Sequence, residues 1–168
     1  MIRKKDPLLR CIAVFILVLS LFSVAAVGAV SAQEEAGPTV IVGDSQRNAG
    51  TVYALNASDG SERWIFETDG RVTSSPIVAD GTVYVGSWDN YLYALDAATG
   101  TKEWAFETDG WVRSSPTVAD GTVYVGSDDE NLYAVDVTTG TQEWAFETGC
   151  RIGILSGDKV FSSPTVVG

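Results

Sequence analysis

Histidine is absent from the 168-residue chain. Without an imidazole, the chain cannot build a Ser-His-Asp triad, a histidine metal site or a Cys-x-x-Cys-His haem attachment. Cysteine is nearly absent too, with Cys11 in an N-terminal apolar run and Cys150 near the other end. If Cys11 leaves with the N-terminal segment, Cys150 has no internal partner. Cys150 is then either a small filler residue in a loop or a link between two chains.

Basic residues are scarce, with 11 Lys and Arg against 22 Asp and Glu. Residues 33–168 keep seven of the basic and 21 of the acidic side chains, a net charge of −14. Such a surface repels phosphate backbones and anionic lipid headgroups, which argues against nucleic acid as a partner. The composition resembles that of exported proteins of halophiles, and ordinary colloidal solubility explains it equally well.

Residues 1–32 predict export. Residues 1–10 carry four basic side chains against one acidic one, and residues 11–30 form an uncharged run of apolar and small residues. This layout is typical of a secretory signal cleaved before Gln33. An uncleaved anchor is the alternative, because 20 residues can just span a hydrocarbon core. In both cases we expect residues 33–37 to be a short linker and the rest to be extracellular or at the cell surface.

A 40-residue repeat dominates what remains. Trp64, Trp104 and Trp144 are spaced by 40, and residues 71–110 and 111–150 are identical at 28 of 40 positions. Each unit contains four short apolar or alternating segments separated by turn signals such as Asp80-Gly81. No stretch after residue 33 shows helical periodicity. Four antiparallel strands in 40 residues predict an all-β fold of β-propeller blades.

The blades cannot bury both faces of their sheets alone, so they must stack. The segment Ala94–Trp104 and its copy Ala134–Trp144 resemble the pyrroloquinoline-quinone-type repeat family, and Ala54–Trp64 is a looser copy. The resemblance covers roughly residues 38–168, and it implies that the motif locks adjacent blades together. The blade-docking residues are then Gly60, Trp64, Ala94, Asp96, Gly100, Trp104, Ala134, Asp136, Gly140 and Trp144. A ligand-stacking platform is the alternative role for the tryptophans.

The blade count is incomplete. We expect blades near 38–68, 73–107 and 113–147, with no inner strand in the first, and then a partial inner strand at 162–168. That is about three blades, whereas closed propellers have about 4 to 8. The chain is therefore a fragment of a longer gene, a self-associating unit whose terminal strand completes the first blade of another copy, or an open arc with unprotected edges.

One face of the blades differs between the repeats. Four antiparallel strands place the turn between the second and third strands beside the linker to the next blade. Seven of the 12 differences between the two full units fall there. The candidate binding face comprises Arg71, Trp88, Trp111 and Arg113, a stacking patch for peptide or sugar. Neutral drift in exposed loops is the alternative.

The acidic group Asp128, Asp129 and Glu130 is a weak candidate for calcium, because carboxylates are hard oxygen ligands. It lacks the alternating order of a calcium loop, and a solvated turn explains it as well.

The family resemblance implies two functions. Non-enzymatic relatives, such as the outer-membrane assembly lipoprotein, imply an exported, non-catalytic scaffold with a protein or cell-envelope partner and no cofactor. Quinoprotein dehydrogenases imply a fragment that binds pyrroloquinoline quinone with calcium. No catalytic residue of those enzymes can be matched to this sequence, and paired cysteines are missing. We therefore predict the scaffold, with contact to a membrane only through residues 11–30 if they are uncleaved.

Overall fold

The computed structural model describes residues 37–45, 49–148 and 159–168, within the compact unit Ala36–Gly168. The predicted signal segment, most of the linker and Cys150 lie outside the described residues. The described part consists of strands, turns and loops, and it contains no helix that could cross a membrane. The prediction of an incomplete all-β propeller is confirmed.

In the described residues, eleven strands form three antiparallel sheets, each a simple meander. The first blade is β1 (Thr39–Ser45), β2 (Gly50–Asn56) and β3 (Glu62–Thr68). The second is β4 (Ile77–Ala79), β5 (Thr82–Gly86), β6 (Tyr91–Asp96) and β7 (Lys102–Glu107). The third is β8 (Thr117–Ala119), β9 (Thr122–Gly126), β10 (Asn131–Asp136) and β11 (Gln142–Glu147). Within the part of the chain that the structure describes, the first blade has no counterpart of the short inner strands β4 and β8.

Turn chemistry sets these boundaries. Asp80 and Gly81 both have positive φ, 48° and 83°, as a two-residue hairpin between β4 and β5 requires. Asp120 and Gly121 repeat this conformation between β8 and β9. Aspartate and glycine tolerate such angles better than branched residues do, so the strands end where these pairs occur.

The core lies between the sheets rather than within one sheet. One cluster joins Val52, Ala54 and Trp64 of the first blade to Val83 and Leu95 of the second. A second cluster joins the second blade to the third in the same way, including Leu92, Ala94, Val123, Tyr133 and Val135. Burial of apolar surface between consecutive blades therefore stabilises the arc.

The segment 159–168 forms no strand, although we expect a partial inner strand at 162–168. Ser115 N donates to Ser163 Oγ at 3.2 Å, just as Ser75 N donates to Ser115 Oγ at 2.8 Å. The segment therefore occupies the position of the next inner strand. It is not part of a sheet because no further strand of the described residues lies beside it.

Candidate functional site

The repeated tryptophans dock each blade on the next. The indole N–H of Trp64 donates to the Ala97 carbonyl, and that of Trp104 donates to the Val137 carbonyl, both at 3.0 Å. Each bond joins consecutive blades and satisfies the single polar atom of the indole, which burial otherwise leaves unpaired. The geometry is thus that of blade packing rather than of a platform open to ligands.

A glycine receives each indole. A Cβ on Gly100 would lie 2.6 Å from the Trp64 ring, and a Cβ on Gly140 would lie 2.6 Å from the Trp104 ring. Gly100 and Gly140 also have φ of 73° and 67°, the left-handed region that favours glycine. Glycine is therefore required twice over at these positions, for its backbone angle and for the close approach of the indole.

Aspartate shapes the turn that carries the glycine. Asp96 Oδ1 accepts hydrogen bonds from the backbone N–H and the hydroxyl of Thr99, both at 2.7 Å. These bonds, the hydroxyl first, lower the pKa of Asp96. Asp136 and Thr139 repeat the arrangement. Ala94 and Ala134 are fully buried, and Ala94 belongs to the apolar cluster between the second and third blades.

The two terminal copies of the motif differ in their surroundings. Gly60 has φ of 74°, like its equivalents, but no atom lies within 4 Å of a Cβ built on it. Trp144 is 44% exposed, whereas Trp64 is 8% exposed. Both differences have one cause: within the described residues, no blade lies before the first or after the third.

A tyrosine and an aspartate anchor each turn between the second and third strands of the full blades. Tyr93 Oη donates to Asp89 Oδ2 at 2.9 Å, and Tyr133 Oη donates to Asp129 Oδ2 at 3.0 Å. The same carboxylate oxygens accept the backbone N–H of Asp69 and that of Asp109 in the adjoining linkers. This link, which no sequence pattern indicates, fixes the turn and the linker against each other.

We expect this link to weaken in alkali. Burial, and then the bond to Asp129 and its charge, raises the pKa of Tyr133 to about 12. The unfolded tyrosine ionises near pH ~10, so its contribution is complete below that pH and is lost as the pH rises towards 12. The urea midpoint of the wild-type protein should decrease when the pH is raised from 8 to 11, and the decrease should be smaller in Tyr133→Phe. An equal fall in both proteins would contradict this role.

Linkers and turns are also joined through the backbone, which brings the predicted binding face together. Trp88 N donates to the Arg71 carbonyl, and Asp128 N donates to the Trp111 carbonyl, both at 2.9 Å. Trp88 and Trp111 stack with ring centroids 4.6 Å apart and planes at 11°. Trp88 Nε1 donates to Thr73 Oγ1 at 2.8 Å, which fixes the indole.

Cations surround the stacked pair. The guanidinium carbons of Arg71 and Arg113 each lie 5.0 Å from the Trp88 centroid, within cation–π range. Arg113 also lies over Phe161 at 4.4 Å, and Lys159 Nζ lies 5.7 Å from Trp111. We call this group the cation–aromatic surface, and its members are Arg71, Trp88, Trp111, Arg113, Lys159 and Phe161. The pattern of differences between the repeats indicates the first four members but not Lys159 and Phe161.

The predicted acidic cluster is engaged by protein groups. Asp128 forms ion pairs with Arg113 and with Lys159, the latter at 3.2 Å. Asp129 holds the turn described above, and the Glu130 carbonyl accepts Thr148 N at 2.7 Å. Among the described residues, no three Asp, Glu, Cys or His side chains are grouped closely enough to hold a metal ion. Asp128 belongs instead to the edge of the cation–aromatic surface.

Known proteins share both the repeat and its arrangement. Residues 28–109 and 48–164 match the family described as outer membrane protein assembly factor BamB. The crystal structure of BamB from Moraxella catarrhalis superposes with a TM-score of 0.64 and 26% identity, covering 77% of this chain and 37% of that one. Quinohemoprotein alcohol dehydrogenase from Comamonas testosteroni gives 0.58 and 27%, covering 66% and 20%. This chain therefore spans well under half of either protein.

Two further similarities are narrower. A europium-containing methanol dehydrogenase superposes with a TM-score of 0.60 at 22% identity, which supports the fold alone. The serine/threonine-protein kinase AfsK of Streptomyces coelicolor is 54% identical over 39 residues, which is 23% of this chain and 5% of that protein. A match of about one blade's length supports shared repeat architecture rather than shared activity.

Proposed function

Because this chain belongs to the pyrroloquinoline-quinone-type repeat family described as outer membrane protein assembly factor BamB, we propose that it is an exported, non-catalytic propeller segment that binds a protein partner in the cell envelope. The proposed contact is the cation–aromatic surface. Export rests on the charge and apolar pattern of residues 1–32, which predicts an extracellular or cell-surface location.

The stacking of Trp88 on Trp111 carries this proposal. These two tryptophans depart from the repeat, and they come from a turn and a linker that the backbone holds side by side. Trp and Arg are the residues most enriched at the energetic centres of protein interfaces. Trp111 is 42% exposed, so a partner can still cover much of its ring. Drift in exposed loops gives no reason for two rings and three cations to meet.

The charge distribution favours a protein partner. The chain carries a net charge of −11, yet Arg71, Arg113 and Lys159 meet on one surface with Asp128 among them. The surface therefore has more cations than anions on an otherwise acidic chain, and its two tryptophans and two arginines are of the types enriched at interface centres. A nucleic acid would face the strongly acidic remainder of the chain, which repels it.

A dehydrogenase fragment is the second candidate, favoured by the similarity to quinohemoprotein alcohol dehydrogenase. Pyrroloquinoline quinone is a polycarboxylate, so its site needs Arg or Lys together with a calcium ion held by acidic and amide side chains. Asp128 engages both Arg113 and Lys159, and the described residues contain no group of three metal-binding acidic side chains. These contacts of the described residues support the non-catalytic segment over the dehydrogenase fragment.

A thermal shift titration separates these two functions. We expect added quinone with calcium to leave the melting temperature unchanged over the whole titration, with calcium alone as the control. A saturable rise in melting temperature, or dye-coupled oxidation of an alcohol, would instead favour the dehydrogenase fragment.

We expect Trp111→Ala to weaken partner binding by at least about 30-fold, the effect of losing an interface residue worth ~2 kcal/mol. The partner is first identified by placing a photo-crosslinking residue at position 111 in the exporting cell. The purified partner is then titrated with wild type and with the variant. Far-ultraviolet circular dichroism checks that the variant folds.

Val78→Ala is the control, because Val78 is similarly exposed but lies in β4, outside the cation–aromatic surface. It should bind the partner as wild type does. Equal losses in the two variants, or unchanged binding in Trp111→Ala, would refute the proposed contact.

A further inference from the structure

The exposed apolar side chains concentrate at the two ends of the arc. Ten large apolar residues are exposed among the described residues, and seven of them belong to the outer face of the first blade, the outer face of the third blade or residues 165–167 after it. These are Val40, Val42 and Ile65, then Trp144 and Phe146, and finally Val166 and Val167. Patches of this kind mark interaction sites on soluble proteins.

The equivalent faces inside the arc each pack on a neighbouring blade. Val40, Val42 and Ile65 correspond to Val83, Val85 and Ala105, which form the face of the second blade that packs on the first. Trp144 and Phe146 correspond to Trp104 and Phe106, which pack on the third blade. The outer face of the third blade and that of the first are thus the two halves of an interface that the chain already forms twice.

The tryptophan half is preorganised. Trp144 lies against Tyr124 with centroids 5.8 Å apart and planes at 47°, and the docked Trp104 lies against Tyr84 at 5.7 Å and 44°. The indole of Trp144 therefore already has the orientation of a docked indole. A second chain can bind it without reordering this side chain, which lowers the entropic cost of association.

The receiving half is preformed as well. Gly60 N donates to the Asn56 carbonyl at 2.8 Å, the same turn that closes at Gly100 and Gly140. Ala57 is the equivalent in the repeat of Ala97 and Val137, whose carbonyls accept the docked indoles. The open space above Gly60 is thus the space that an indole fills in the other two copies.

A second aromatic pair supports the same match. Phe66 meets Tyr93, and Phe106 meets Tyr133, each edge to face with centroids 5.2 Å apart. The next members of the two series are Phe146 on the third blade and Tyr53 on the first. Phe146 is 61% exposed, so its partner position is open.

The missing inner strand falls at this same junction. Residues 159–168 hold the position of the next inner strand beside the third blade, and Thr165, Val166 and Val167 correspond to β4. β1 corresponds to β5, with which β4 pairs. One junction therefore supplies both the docked indole and the strand that the first blade lacks.

We propose that two copies of this chain bind head to tail, with the third blade of each docking on the first blade of the other. Trp144 packs on the Gly60 turn, Phe146 packs on Tyr53, and residues 165–167 pair with β1. Heterologous contacts of this kind either close into a ring or polymerise, and two such junctions give about six blades, within the range of closed propellers. The proposal goes beyond partner binding, because it uses neither Trp88 nor Trp111.

Salt should favour the association. Each copy is strongly acidic, so two copies repel each other at low ionic strength, while the apolar junction does not depend on salt screening. We therefore expect the fraction of paired chains to rise with sodium chloride concentration.

The test is the mass of the exported chain in solution, measured by light scattering across protein and salt concentrations. Intact mass spectrometry first gives the protomer mass, whatever the state of residues 1–32. We expect a species of twice that mass at high salt. A strict monomer under all conditions, or a mass that grows without limit, would overturn the two-copy ring.

Three variants localise the junction. Phe146→Ser on the third blade and Val42→Ser on the first should each weaken pairing by about tenfold or more. Val78→Ser is the control, since Val78 is a similarly exposed valine of the second blade. Far-ultraviolet circular dichroism shows that each variant folds, and retained binding of the separate partner shows an intact cation–aromatic surface. Unchanged pairing in both junction variants, or an equal loss in the control, would overturn the proposal.

Discussion

Trp64→Ala should lower the free energy of unfolding by about 3–5 kcal/mol, the usual cost of truncating a buried aromatic side chain. Trp64 is nearly fully buried between the first and second blades, and its N–H is bonded to the Ala97 carbonyl. Alanine leaves a cavity between two sheets and leaves that carbonyl without its donor. Since small proteins are stable by only about 5–15 kcal/mol, this is a large share of the total. Urea unfolding followed by far-ultraviolet circular dichroism measures it.

The control for this loss is Trp111→Ala, which removes the same side chain from an exposed position. Its rings contact Trp88 and cations but fill no space between the sheets, so we expect a cost below about 1 kcal/mol. The contrast isolates blade docking from the mere loss of an indole. If both variants lost equal stability, the repeated tryptophans would not hold the blades together.

The blade architecture was predictable because the same residue pattern recurs in every repeat. A tryptophan and a glycine recur every 40 residues, with short β-branched segments between them. Because each unit is a small sheet, the indole can be buried in few ways other than against the next sheet. Trp64 and Trp144 cannot be distinguished by sequence, because their local contexts are nearly the same. Only the presence or absence of a neighbouring blade decides that one ring is buried and the other exposed.

The candidate site was predictable in part. Strand direction alone places the turn that bears Trp88 beside the linker that bears Trp111, and the structure stacks the two rings. Lys159 and Phe161 were missed because the insertion after the third blade changes their spacing from 40 to 48. Aligning Ser162-Ser163-Pro164 with Ser114-Ser115-Pro116 would have revealed them as the equivalents of Trp111 and Arg113.

The choice of partner by each carboxylate could not be predicted. Asp128 and Asp129 are adjacent, yet the first pairs with Arg113 and Lys159, and the second accepts bonds from Asp109 N and Tyr133 Oη. These partners come from other parts of the repeat and converge only through the sheet register. Sequence adjacency suggested one shared metal site, whereas the fold divides the two side chains between an ion pair and a turn.

Gly100→Ala should lower the free energy of unfolding by about 2–5 kcal/mol, more than the equivalent change Gly60→Ala in the first blade. Its φ of 73° adds roughly 1–2 kcal/mol for a residue with a Cβ. The new methyl group would also lie 2.6 Å from the Trp64 ring, and overpacking of a core costs about 1–3 kcal/mol. The buried indole cannot retreat without losing its bond to the Ala97 carbonyl.

Gly60→Ala separates these two contributions, because Gly60 has the same positive φ but no neighbour within 4 Å. At a protein concentration low enough to keep chains separate, it should cost only the backbone part, about 1–2 kcal/mol. Urea midpoints of both variants, measured side by side, give the packing contribution as their difference. The two variants change equivalent positions of the repeat, one beside an indole and one without a neighbour. An equal loss of stability in both would mean that the Trp64 indole moves aside at no cost. The blades would then not depend on close contact between indole and glycine, and the tight docking seen at both internal junctions would contribute little to stability.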